Sequence, residues 1–547
     1  MVYNQSNVDT ANQTFYVLTI DVFLGVKKMS YKRIVFGEPI VFILSLVMVL
    51  VCAAASFADV KLPAAISDNM VLQQGMKVSV WGWAEPGEKV AVSGNWQSLG
   101  WHTTADKDGR WMVKIKPPKA GGPYEMTING KNTITIKNIL AGEVWVCSGQ
   151  SNMERSVKRS ANAEQEIVSA NYPNIRLFTV RKTIADTPQN DCSGNWSSCS
   201  PETVADFSAA AYFFGRELHS QLGVPVGLIQ TCWGGTPAEA WTRHEVLASD
   251  PELKPIVDRS DEAWGNYLNA MSDYTQELIS WLSAAEKAHV EGGQIPSEPD
   301  KPRSPSGQRT PSRLYNAMIA PLVLYSRGGA IWYQGESNTG RAWQYRKLFP
   351  AMIENWRRDW RQDDFPFYYV QIAPFKYGKE FIGVELREAQ LMALSVPNTG
   401  MAVITDIGNI NDIHPKNKQD VGKRLALWAM AKTYGRKGIV YSGPIYKSMK
   451  IEGDKIRLFF DYVGGGLVAK DGPLTHFTIA GEDRKFVDAK AKIDGDTIVV
   501  SNDKVENPVA VRFAWSNTAV PNLFNKEGLP ASSFKTDDWP GVTVNKK

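Results

Sequence analysis

The chain has 547 residues, 43% of them hydrophobic, with 61 Lys+Arg against 57 Asp+Glu and a formal charge of +4. That length exceeds what one core holds and predicts two to four domains. A mean hydropathy of −0.26 fits a globular protein, and the balanced charge without a basic block argues against nucleic acid as a partner.

The first 58 residues read as a targeting segment. Lys32-Arg33 supplies a positive region, residues 39–55 are almost unbroken hydrophobic, and Ser56-Phe57-Ala58 is a small-x-small cleavage pattern. This predicts export by a cleaved signal, with an uncleaved anchor as the rival, and Met29 as an alternative start. Export leaves Cys147, Cys192, Cys199 and Cys232 in the mature chain. A disulfide between Cys192 and Cys199 fits an oxidising compartment, whereas Cys147 and Cys232 suit a bridge or buried thiols equally. No Cys-x-x-Cys pair occurs, so a structural zinc site is not expected.

Residues 59–140 alternate apolar and polar, for example in Val78-Ser-Val-Trp-Gly-Trp83. Turn signals such as Glu85-Pro-Gly87 and Lys107-Asp-Gly109 punctuate them. They predict a small β sandwich. Residues 141–435 change pattern. Buried-type strands at 226–229, 330–333, 367–372 and 401–404 alternate with helical stretches at 209–222, 345–356 and 418–434. Such alternation predicts a parallel sheet covered on both faces. Residues 245–312 interrupt it, first as helix and then as a polar Pro/Ser-rich, mobile loop. Residues 436–547 return to short strands and predict a second β domain. The 18 tryptophans suit large β cores, with a sugar-stacking surface as the alternative.

Four loops follow four expected central strands. They hold Gly149-Gln150-Ser151-Asn152, Trp233-Gly-Gly235-Thr236, Gln334-Gly-Glu336-Ser-Asn338 and Asp412-Ile-His414-Pro415. In a parallel sheet all four open on the same carboxyl edge, where open α/β sheets build their sites. Ser151 offers an oxygen nucleophile, which needs a base and an oxyanion hole. His414 can take and return its proton near neutral pH, and Asp412 can orient the imidazole. The other histidines fit worse. His102 and His476 lie in the β regions, His219 and His289 in amphipathic helices, and His244 alone stays open as a rival. The backbone N–H groups of Ser151 and Gly235, with the Asn338 amide, make three oxyanion donors; losing one costs roughly 10²–10³ in turnover.

Gly149-Gln-Ser-Asn-Met153, Trp332-Tyr-Gln-Gly-Glu-Ser-Asn338 and Asp412-Ile-His-Pro-Lys-Asn-Lys418 together resemble the signature blocks of the sialate O-acetylesterase family, in the SGNH hydrolase superfamily. The resemblance spans about residues 60–540. It implies a three-layer α/β/α, flavodoxin-like catalytic domain between amino- and carboxy-terminal β-sandwich-like domains. It also implies metal-free, cofactor-free deacetylation of O-acetylated sialic acid, with Ser151 as nucleophile, His414 as base, and Gly235 and Asn338 as oxyanion donors. One departure stands out. The superfamily's usual acid lies three residues before the histidine, where this chain has Asn411; Asp412 lies two before. Asp406, Glu336 and a Ser-His dyad steadied by a backbone carbonyl are the alternatives.

Gln150, Trp233, Gln334 and Glu336 are candidate substrate contacts. Arg313, Arg341 and Arg387 are candidate clamps for a sialic acid carboxylate. A neutral acetylated glycan such as acetylxylan needs no clamp and is the alternative substrate. Further readings are a glycosidase pairing Glu336 with Asp406 or Asp412, and a non-catalytic sugar-binding protein. The base predicts activity rising with pH through an apparent pKa of about 6–7.

Overall fold

The computed structural model describes residues 59–546, together with a short antiparallel pair, Val8–Thr10 and Gln13–Phe15. The charged, apolar and cleavage-site stretches expected between residues 32 and 58 lie outside the described residues.

Seven strands form the central sheet: β1 (Thr133–Gly149), β2 (Tyr172–Thr179), β3 (Trp196–Cys199), β4 (Val226–Cys232), β5 (Gly329–Tyr333), β6 (Phe367–Val370) and β7 (Thr399–Ala402). Their order is β3-β2-β4-β1-β5-β6-β7. All pairings are parallel except β3 against β2, so the sheet is mixed. The helices that position the site are α1 (Ser151–Glu154), α2 (Ala209–Leu222), α3 (Lys254–Val290), α4 (Ala342–Trp360), α5 (Ile382–Met392) and α6 (Lys418–Trp428).

The strands are buried on both faces, as parallel strands must be when helices cover both sides. β1 sends Val144 and Val146 into one hydrophobic cluster and Trp145 and Cys147 into another. β5 divides Ala330 and Trp332 from Ile331 and Tyr333 in the same way. Leu348, Phe349 and Trp356 of α4 and Leu386 of α5 fill the first cluster; Phe214 of α2 and Leu425 of α6 fill the second. Local chemistry sets the helix ends. The Ser208 side chain accepts from Ala211 N at the start of α2, and Gly223 closes it in the left-handed region at φ 68°.

β1 is 17 residues long, and its first half belongs to the amino-terminal β region. There Gly121–Asn129 pairs with β1, Lys89–Gly94 pairs with Gly121–Asn129, and Trp101–Thr104 pairs with Lys89–Gly94, all antiparallel. The chain thus passes from that region into the central sheet inside one strand, without a linker. The carboxy-terminal residues form two four-stranded antiparallel sheets over a third hydrophobic cluster that includes Leu458, Ile479 and Phe513. Among the described residues no helix is long and apolar enough to cross a membrane.

The expected Cys192–Cys199 disulfide does not form; among the described residues Cys147, Cys192, Cys199 and Cys232 are all free. Cys199 ends β3 with its sulfur turned into the core toward Ala170 O, while Cys192 sits half-buried in the loop before the strand. The interrupting segment contains α3, 37 residues long, of which only Ile256 and Val257 are buried.

Candidate active site

Strand register builds the site. Gly149 lies level with Cys232 of β4 and Tyr333 of β5. Gln150 N donates to Tyr333 O at 3.0 Å and Trp233 N donates to Gly149 O at 3.1 Å. Three loops therefore leave the sheet at one height, around the strand where the order of connections reverses. Gly149 has φ +141°, and a Cβ there would stand 2.2 Å from Tyr333 O. Only glycine lets the chain turn so close to β5 and present Ser151 at the start of α1.

The fourth loop arrives beyond β7. Asn417 caps α6, its side chain accepting from Asp420 N, and His414 lies three residues before that cap. His414 Nε2 stands 2.9 Å from Ser151 Oγ. On the other side of the ring, Asp412 Oδ1 lies 3.5 Å from Nδ1 and accepts the His414 backbone N–H at 3.0 Å. Hydroxyl, imidazole and carboxylate are thus in line for proton transfer. The rival carboxylates are committed elsewhere. Asp406 forms a two-pronged ion pair with Arg424, at 2.6 and 2.7 Å, and Glu336 accepts from Asn152.

Burial, and then the nearby Arg155 guanidinium, hold the His414 pKa below its ordinary value; Lys418 pushes the same way and Asp412 opposes. The backbone N–H of His414 stabilises ionised Asp412 and lowers its pKa. The arrangement favours a neutral imidazole facing the hydroxyl, the form a general base needs.

Ser151 and His414 open into a cavity of about 560 Å³ lined also by Glu154, Arg155, Lys158, Arg159, Lys182 and Gly234. Lys158 pairs with Asp206 and Lys182 with Glu154, which among the described residues leaves Arg155 and Arg159 without a carboxylate partner. Arg155 Nε is held by Arg159 O at 3.0 Å.

A profile of the family described as "Carbohydrate esterase, sialic acid-specific acetylesterase" matches residues 141–274 and 303–431. The human sialate O-acetylesterase is 30% identical over 531 residues, covering 88% of this chain and 94% of that protein. The rat sialate O-acetylesterase is 31% identical over 425 residues, 71% of this chain and 76% of that protein. The chain belongs to the sialate O-acetylesterase family. It is a carboxylic ester hydrolase. A solved carbohydrate acetylesterase from Xanthomonas citri, 35% identical, superposes with a TM-score of 0.74, covering 88% of this chain and all of that one.

Other residues expected in the esterase site are placed as follows. Gly234, next to Gly235, packs on Ser151, since a Cβ there would lie 3.3 Å from Ser151 Cβ. Gly235 itself has φ +73° and open space around it. Asn338 is buried; its amide donates to Glu239 Oε2 at 2.8 Å, and its oxygen accepts from Ala238 N and Gln334 Nε2. Among the described residues that leaves one amide hydrogen uncommitted. Gln150 points into the Gly335-Ser337 turn, accepting from both backbone N–H groups. Gln334 is fully buried between Asn338, Thr236 and Tyr345. Trp233 is half-buried under Lys182, whose ammonium lies 5.7 Å from the ring centre.

None of the three expected clamps, Arg313, Arg341 and Arg387, lines the cavity at Ser151. Arg387 is 1% exposed and ties α5 to Ser516 O and Ser533, away from the cavity. It lies on the inward side of α5, so it packs rather than binds. Arg313 pairs with Asp186 and Ser306, and Arg341 pairs with Glu239 at 2.7 Å. The cations lining the cavity at Ser151 are instead Arg155, Lys158, Arg159 and Lys182, the first three within eight residues of Ser151. The closeness of Arg155, Lys158 and Arg159 to Ser151 in sequence is the signal that marks them, whereas the expected clamps Arg313, Arg341 and Arg387 lie far along the chain. His244 starts the helix His244–Ser249 and does not line the cavity. Among the described residues no cluster of three or more His, Cys, Asp or Glu could hold a metal ion.

Proposed function

We propose that this esterase removes O-acetyl groups from sialic acids through an acetyl-enzyme on Ser151. Ser151 Oγ attacks the acetyl carbonyl carbon while His414 Nε2 takes the hydroxyl proton. The proton then passes to the departing sugar oxygen, and the acetyl group stays on Ser151. Water, deprotonated by His414, attacks that ester and releases acetate and free serine. Asp412 holds the imidazole tautomer. The N–H groups of Ser151 and Gly235, with the free Asn338 amide hydrogen, are the donors for the oxyanion.

The observation that carries the reaction is the 2.9 Å contact between Ser151 Oγ and His414 Nε2 at the cavity floor. An acidic sugar is supported by Arg155 and Arg159, which lack carboxylate partners in that cavity. A neutral acetylated xylan offers such a wall no carboxylate for a charge-assisted pair. The expected leader at residues 1–58 supports export, and the flanking sheets serve as sandwich-like braces.

Product analysis decides between substrates. A panel of O-acetylated sialosides and acetylated xylan is predicted to release acetate chiefly from the sialosides, and Ser151→Ala to release none from either. Preference for xylan refutes the sialic acid assignment; acetate release by folded Ser151→Ala refutes the nucleophile. Amino-terminal sequencing of the exported protein, expected to begin at Asp59, checks the leader.

A further inference from the structure

Beneath the catalytic pair lies a chain of buried polar groups that the reaction scheme does not use. Asn152 is fully buried, and Lys418 is 0% exposed. Lys418 Nζ donates to Asn152 Oδ1 at 2.7 Å. The other end of the same carboxamide donates to Glu336 Oε1 at 2.6 Å and to Ile413 O at 2.9 Å. Asn152 follows Ser151 in sequence, and Ile413 precedes His414. One carboxamide thus spans the nucleophile and its base, one residue away on either side.

The charges fix which way that amide points. An ammonium demands the oxygen and a carboxylate demands the NH₂, so only one orientation satisfies both neighbours. The arrangement is costly. Two buried groups of opposite charge, bridged by Asn152 rather than in direct contact, lose hydration that apolar side chains would not. Lys418 also sits at the first position of α6, where the helix dipole disfavours a cation. Its ammonium finds partial compensation 4.7 Å from the Tyr333 ring centre. A site that needed only packing would carry apolar residues here.

We infer that Lys418, Asn152 and Glu336 form the positioning unit of this esterase, holding the Ser151 turn and the His414 loop in hydrogen-bonding register. The inference rests on the Ser151–His414 reading. The unit has a second effect. The charged groups facing His414 are Asp412, Arg155 and Lys418; burial first, and then the two cations, lower the imidazole pKa against the opposing Asp412. Those facing Lys418 are Glu336, Arg155 and Asp412.

The test compares Lys418→Met, Asn152→Ala and the double variant Lys418→Met/Glu336→Gln with wild type and Ser151→Ala. The measurements are Tm, kcat, KM and the pH profile of kcat/KM on p-nitrophenyl acetate. Removing one buried charge leaves the other unpaired, so Lys418→Met loses stability. Removing both restores it. The double variant is expected to regain a native Tm yet keep kcat down roughly 10²-fold, because small misplacements of reacting groups cost that much. KM stays within about threefold. Loss of the Lys418 cation makes His414 easier to protonate, so the acid limb of kcat/KM moves to higher pH. A double variant with native Tm, near-wild-type kcat and an unmoved acid limb overturns the inference and marks the unit as scaffold only. Should the charge variants not fold, Asn152→Ala decides: lost kcat with a native Tm supports the unit, and wild-type kcat overturns it. Activity in Ser151→Ala would instead remove the reading on which the inference stands.

Discussion

At the scale of single residues, the identity of the base and the sign of its pKa shift make a definite prediction. Burial and Arg155 lower the His414 pKa from its ordinary 6.5. The neutral, proton-accepting form therefore persists to lower pH, and the acid limb of kcat/KM falls below the value of a free histidine. Arg155→Met removes a cation that disfavours imidazolium, so it shifts that limb upward; a profile that does not move contradicts the electrostatic account. The same substitution, read on substrates, lowers kcat/KM on an O-acetylated sialoside roughly tenfold or more, the scale of one lost charge-assisted bond. Activity on p-nitrophenyl acetate changes far less, and equal losses on both substrates would exclude a clamp. The serine and the histidine were legible from two short loops, because each carries a residue type that acyl transfer requires. The third triad position was legible only as a set of alternatives. Asp406 and Glu336 are equally acidic in sequence, and only their partners, Arg424 and Asn152, show that they are spoken for. Arg387 misled for the same reason: charge is visible in a sequence, and burial of that charge is not.

At the scale of elements, the central strands were legible because parallel strands buried on both faces read as apolar runs. Their ends were not. The helix expected at 345–356 extends to Ala342–Trp360, and that expected at 418–434 ends as α6 at Trp428, followed by a wider turn over Ala429–Thr433. Packing onto the sheet, rather than propensity, fixes those ends. The turn after β1 makes a sharp demand. Gly149→Ala forces a side chain into Tyr333 O at a φ that L residues avoid, which costs about 1–3 kcal/mol from the backbone alone. Thermal unfolding should show a lower Tm, and activity should fall further than stability, because Ser151 rides on that turn. The paired cysteines were an element-level misreading: their spacing suits a loop closure, yet β3 turns Cys199 into the core. Reducing agent is accordingly expected to leave Tm unchanged, and a fall in Tm under reduction would show a bridge.

At the scale of the whole molecule, the order of β-rich, alternating and again β-rich sequence was legible from the change in hydrophobic period. The continuity of β1 was not, since alternation in its first half and an apolar run in its second read as two different strands. That shared strand makes the amino-terminal sheet a mechanical extension of the strand that carries the nucleophile. The carboxy-terminal region is bound to the catalytic face as well: Thr543 N–H and Val542 N–H donate to Glu385 of α5, and Gln371 donates to Ser532. Both flanks therefore brace the sheet whose edge holds the site.

The central claim is that residues 151 and 414 meet to form an acetyl-enzyme. Rapid quenching during turnover of an O-acetylated sialoside, followed by peptide mass spectrometry, tests it most directly. The account predicts one acetyl group on the peptide containing Ser151, absent from Ser151→Ala; full turnover with that serine never acetylated, or an acetyl group on another residue, would contradict it.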